Sequence, residues 1–176
     1  MTFAVNLATV GSNATATGTL IQSGTAVAST SGTSIDFTGI PAGVKRITVV
    51  FSGVSVSGAS YFLIQIGAGS IATTGYLSAS TYNNGPAGAS TNSTAGYIIN
   101  NAFQAVQIIT GTYVFSLLNA VTGLWVGSAI LAFDAIAYNI TAGGSKTLSG
   151  TLDRVRITTS NGSDTFDAGS VNILYE

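Results

Sequence analysis

Cysteine and histidine are both missing from this 176-residue chain. Without thiols there are no disulfides, no thiolate nucleophile and no Cys-ligated metal. Without imidazole, neither a Ser-His-Asp nor a Cys-His arrangement can be assembled. Charge is nearly as scarce: 5 basic and 6 acidic side chains make up 6% of the residues, where an ordinary soluble domain carries about 25%. Residues 47–133 contain no charged side chain at all. A groove for nucleic acid needs clustered Lys and Arg to displace counterions, and no such cluster exists. Acid–base chemistry is reduced to Asp36, Asp134, Asp153, Asp164 and Asp167 as the internal carboxylates, so the expectation is a protein that is not an enzyme and carries no cofactor.

Prolines number only 2, while glycines number 22 and apolar residues reach 46%. A chain of this length, with no break in composition, fits one domain and buries about two thirds of its unfolded surface. Solubility then rests on Ser, Thr, Asn and Gln, or on partners that cover the surface, because colloidal stability ordinarily calls for interspersed charge. An oligomer is therefore expected. Residues 113–140 are apolar enough to suggest a membrane span, yet Asn119, Gly123, Gly127 and Asp134 interrupt them and β-branched and aromatic types abound. Strands are expected there, without membrane insertion. Residues 1–5 (MTFAV) have no basic stretch ahead of an apolar one, which reads as no secretory signal and assembly in the cytoplasm.

Periodicity points to sheet, with no helix period over any long window and only 124–138 open to either reading. Residues 1–33 are small and polar and are read as an amino-terminal arm or a first pair of short strands, with a β-sandwich domain over 34–176. Residues 34–38 alternate polar and apolar, 39–43 form a turn, and 44–51 make a strong strand. Residues 61–66 are a short apolar run suited to a strand with both faces covered. Apolar density falls over 67–96, and 82–88 (YNNGPAG) has the chemistry of an exposed loop: Asn84-Gly85 favours positive φ and Pro86 cannot donate to a ladder. Strand signals return at 97–99, 105–109, 112–118 and 124–131. At the carboxyl end come 146–150, then 152–159 with Val155 and Ile157 on one face against Arg154 and Arg156 on the other. A turn at 160–163 leads to a closing strand at 171–175. Many short strands with turns about every 8–12 residues imply an antiparallel sandwich or barrel.

Few residues suggest a site. Tyr76, Tyr82 and Tyr97 flank the polar loop region and, with Asn83 and Asn84, form a candidate surface-binding loop in which aromatic rings could stack on sugars; Trp125 and other strand aromatics are more often core. Residues 161–167 (NGSDTFD) gather oxygen ligands, but their spacing is not that of an EF-hand and a turn with Asx hydrogen bonds accounts for them. Lys45, Arg46, Arg154 and Arg156 read as solvated strand faces or structural ion pairs. The near absence of Lys, Pro and inward charge in the central half leaves the sheet edges unguarded, so either a barrel closes or neighbouring subunits cover them.

Two stretches, 33–49 (TSIDFTGIP followed by VKRITV at 44–49) and 145–176 (SKTLSGTLDRVRITT, then DTFDAGSVNILYE at 164–176), resemble a module of tailed-bacteriophage and prophage virion proteins of the tail or tail-fibre type. Residues 73–76 (TTGY) give a weaker third match. The resemblance implies a jelly-roll-like β-sandwich in a virion appendage, commonly a homotrimer, that contacts the host surface; assembly in the host cytoplasm with other virion proteins is expected, and host-surface glycan is the partner that the candidate loop would take. A capsid decoration (cement or head-fibre) protein and a free carbohydrate-binding module are the alternatives.

Overall fold

In the computed structural model, residues 21–85, 88–100, 105, 107–134 and 138–176 are described. Fourteen strands occur among them and no helix: β1 (Gln22–Ser23), β2 (Val27–Ala28), β3 (Ser34–Thr38), β4 (Arg46–Val56), β5 (Phe62–Ala68), β6 (Ser70–Ile71), β7 (Tyr76–Asn83), β8 (Gly88–Ser93), β9 (Tyr97–Ile99), β10 (Ile109–Asn119), β11 (Leu124–Phe133), β12 (Asn139–Thr147), β13 (Arg154–Thr159) and β14 (Phe166–Tyr175). They form a nine-stranded sheet in the order β1-β14-β4-β10-β11-β12-β7-β8, with β2 also on β14, and a five-stranded sheet in the order β3-β13-β5-β6, with β9 also on β5. Every pairing is antiparallel. The all-β, antiparallel, sandwich-like reading of the sequence is what the structure has.

One apolar core joins the two sheets. The large sheet sends in Ile47, Val49 and Phe51 from β4, Tyr113 and Phe115 from β10, and Trp125, Ala129 and Leu131 from β11, against Ile64, Ile66, Val155 and Ile157 of the small sheet. These are alternate positions along each strand, as a pleat requires when one face is buried. Strand β5 differs, being buried from Phe62 through Gly67, which explains an apolar run broken only by Gln65, whose Nε2 donates to the Ala95 carbonyl at 2.8 Å. In β13, Val155 and Ile157 are buried while the two arginines lie half-exposed on the opposite face. Arg156 forks onto Asp36 of the neighbouring β3 through Nε–Oδ1 at 2.6 Å and Nη2–Oδ2 at 2.7 Å.

Three stretches depart from the sequence expectation. The low-apolar region 67–96 holds a hairpin, β7 and β8, so that the exposed loop expected over 82–88 is strand at residues 82, 83 and 88, while residues 86 and 87 lie outside the described residues. Its Ser, Thr and Ala alternation supplies a pleated surface without supplying bulk, which hid it from a search for apolar strands. The strand expected over 105–109 contributes only Ile109, which runs into β10 through Gly111, where the register against β4 shifts. Of the rest of that stretch, residue 106 lies outside the described residues. Strand β12, beginning at Asn139 and containing Gly143-Gly144, carries too little apolar pattern to be read. Across β4 and β14, Gly53 and Gly169 sit at φ 64° and 84°; a Cβ on Gly169 would run into the Gly53 backbone, so this double bulge depends on two residues that tolerate the left-handed region.

Candidate interaction surfaces

The five residues of the candidate loop are not one surface. Tyr76 and Tyr97 are both 0% exposed, which corrects the expectation that their rings face a ligand. They occupy inward positions of β7 and β9 and join Tyr113 and Phe115 in a ring cluster: Tyr76–Tyr97 centroids lie 5.1 Å apart edge to face, Tyr97–Phe115 4.7 Å, and Tyr113–Phe115 4.5 Å nearly parallel. Their hydroxyls are used internally. Tyr76 accepts from the Ile66 amide at 2.9 Å and donates to the Ala72 carbonyl at 2.8 Å, and Tyr97 donates to the Trp125 carbonyl at 3.1 Å. Burial pushes the Tyr76 phenol up to about 12 and drives Tyr97 and Tyr113 further in the same direction. Gly127 makes the cluster possible, because its missing side chain is where the Tyr113 and Phe115 rings lie.

Tyr82, Asn83 and Asn84 remain together at one end of the large sheet. Tyr82 is half-buried and stacks on Tyr138, centroids 6.2 Å apart and 19° from parallel, while Tyr138 meets Phe133 edge-on at 6.5 Å. Asn83 is exposed and faces Asn139 across the β7–β12 pair. The result is a small aromatic platform beside exposed amides. Tyr138 and Asn139 were missed in the sequence, since only the β7–β12 register brings them to Tyr82.

The acidic residues are all engaged in holding strands and turns. Asp153 accepts from Arg154 Nε at 2.7 Å and from the Gly69 amide at 3.1 Å; the Arg154 hydrogen bond, first of several causes, holds its carboxyl below the usual range. Asp164 accepts from the Ser60 hydroxyl and amide and from Asn161 Nδ2 at 2.9 Å, and its pKa is lowered chiefly by Ser60. Asp134 accepts from Thr110, Asp167 from Ser55, and Glu176 pairs with Arg46. Asn161 Oδ1 accepts from the Ser163 and Asp164 amides, both at 3.0 Å. Residues 161–165 are thus a turn latched by Asn161 and by Ser60 on Asp164, running into β14 at Phe166, and no cluster of three His, Cys, Asp or Glu residues exists among the described residues. Nor is any helix there long and apolar enough to cross a membrane.

Two further features stand out. At one end of the structure a cleft of about 260 Å³ lies between the β10–β11 turn and the 148–152 loop, with Trp125, Leu148 and Leu152 at its floor and Lys45 on its lining. The second is the outer face of the large sheet. One cross-strand row runs Ser90, Thr81, Thr141, Ile130, Thr112, Val50 and ends at Asn172; the next runs Asn92, Ala79, Gly143, Ser128, Val114, Thr48 and ends at Leu174. Neither row contains a charge. A third, Leu77, Ser145, Val126, Ser116, reaches the first charged residue at Arg46.

No protein-family model, no curated protein and no solved structure matches this chain.

Proposed function

We propose that this chain is a non-catalytic structural subunit of a phage virion appendage of the tail or tail-fibre type, working as a homo-oligomer alongside other virion proteins, with three copies as the favoured number. One observation carries the reading: a completed apolar core is combined with a large outer sheet face whose two central rows lack charge, while every acidic side chain is engaged in a structural contact. Such a surface is a poor colloid by itself and is suited to be covered. The resemblance of residues 33–49 and 145–176 to tailed-phage virion proteins supports a virion as the assembly's setting. The half-buried Tyr82–Tyr138 pair with the exposed Asn83 and Asn139 is the element best suited to host-surface glycan, because aromatic edges beside amide donors suit a sugar's apolar and hydroxyl groups.

Electron microscopy of intact particles bearing a tagged copy tests the assignment. Label on the tail is the expected outcome. Label on the head lattice would replace the tail reading with the capsid decoration reading, and unlabelled particles, with the protein free in the lysate, would overturn both. Glycan binding by the assembled protein that is lost in Tyr82→Ala, with the fold retained, would support the contact role.

A further inference from the structure

We infer that the outer face of the nine-stranded sheet is the surface on which a second copy of this chain packs. This rests on the oligomeric reading above and assigns the surface responsible. Two side chains project from the face, Leu77 and Ile130, each 73% exposed. Between them the surface is low: Gly143 and Ala79 are cross-strand partners, and shallow depressions of about 230 and 400 Å³ meet at these two residues. Ile130 and Gly143 stand on adjacent strands, β11 and β12, with Thr141 as the direct partner of Ile130. Knob and hollow therefore lie side by side on a single face, and a like copy supplies the complement of each. The knob of one copy meets the hollow of the next whether two copies close face to face or three close around an axis along the strands.

Area and charge favour a second copy over other occupants. Seven strands from β14 to β8, at about 4.8 Å spacing, and seven residues of depth at about 3.4 Å give about 700 Å² per copy. A stable interface buries about 800 Å² on each side. A partner that brought charge to this face would leave it desolvated opposite hydroxyl and methyl groups, at a cost that only pairing offsets. A second copy brings only the Arg46–Glu176 pair at one margin and Asp134, held by the Thr110 hydroxyl, at the other. Threonine, serine and asparagine along the rows keep the free face wet enough for the unassembled chain to stay in solution, and they hydrogen-bond across the contact or through water once it forms.

The test is light scattering and native mass measurement over a dilution series of the full chain, with Ile130→Lys and, separately, Leu77→Lys. Val121→Lys, at a position 96% exposed on the end cleft, is the control. Far-ultraviolet circular dichroism and thermal melting report whether each variant folds, and two independent knob variants guard against one of them failing to do so. The wild type is expected to form a defined multimer, with dissociation at least about tenfold easier in the knob variants, equivalent to about 1.4 kcal/mol, and unchanged in the control. Folded knob variants that associate as tightly as the wild type would overturn the face while leaving the oligomeric reading intact. A wild type that stays monomeric throughout the series would overturn both.

Discussion

Gly127→Ala isolates the packing that makes the aromatic cluster possible. Gly127 lies on β11, two residues from Trp125, and faces inward. A Cβ there would stand 2.7 Å from Tyr113 Cε1 and 2.7 Å from Phe115 Cδ1, with Phe115 Cε1 at 2.9 Å. Ordinary carbon contacts begin near 3.5 Å, so two rings would have to retreat by about 0.8 Å. Neither has room. They are stacked on each other at 4.5 Å, and Tyr97 packs on Tyr113 at 5.6 Å and on Phe115 at 4.7 Å while its hydroxyl is tied to Trp125 on the same strand as Gly127. Overpacking of this kind costs about 1–3 kcal/mol, which for a chain of this size lowers the melting temperature by about 2–12 °C. Urea unfolding followed by tyrosine and tryptophan fluorescence measures it, with Val121→Ala, at a position 96% exposed and outside the ring cluster, as the reference. A change there within about 0.5 kcal/mol is expected. Equal midpoints for wild type and Gly127→Ala would refute the close packing of these rings.

Tyr97→Phe should cost about 1–2 kcal/mol in the same assay, because it removes the hydrogen bond to the Trp125 carbonyl from a site closed to water. In a spectrophotometric alkaline titration, Tyr76, Tyr97 and Tyr113 should lag behind an ordinary phenol. Their folded-state pKa values are raised, so the stability they contribute is complete below about pH 10 and is lost as pH rises beyond it; reversible ionisation of all seven tyrosines in the intact fold would contradict this. Asp164 has the opposite sign. Its lowered pKa means that its contribution is present above the unfolded value of about 3.9 and is lost as pH falls through the folded one, so Asp164→Asn should flatten the acid limb of a stability–pH profile while leaving the neutral-to-alkaline limb parallel to that of the wild type.

How far this fold could be read from the sequence depended on whether a strand announces itself by bulk. β3, β5 and β13 alternate or concentrate large apolar residues, and their positions were apparent. β7, β8 and β12 pair through Ser, Thr, Ala and Gly, whose extended conformation is imposed by neighbours on either side; a search for apolar periodicity passes over them. The candidate site suffered from the same blindness. Tyr76 and Tyr82 both sit on β7 at the same pleat parity, yet Tyr76 is sealed in the core while Tyr82, six residues on, stacks at the open end of the sheet. That difference belongs to the position of β9 beneath one end of the sheet and not the other, a long-range fact with no local signature.

The shortage of charge and the abundance of glycine answer to one constraint. A face built to be covered by a near-flat partner cannot carry long side chains, and a core built around four closely packed rings leaves little depth for residues on the strands that cross them. β12 meets both demands at once. Gly143 leaves the outer hollow open, while its neighbour Gly144 faces inward, where a Cβ would run into the Leu77 carbonyl and the Ser78 backbone. Putting bulk at 144 would push β7 away from β12 and take Leu77 and Ala79 with it. The same displacement would move the buried Tyr76 ring, so on β12 the inner packing and the outer relief of this sheet meet in two adjacent glycines, as Gly127 serves the rings on β11.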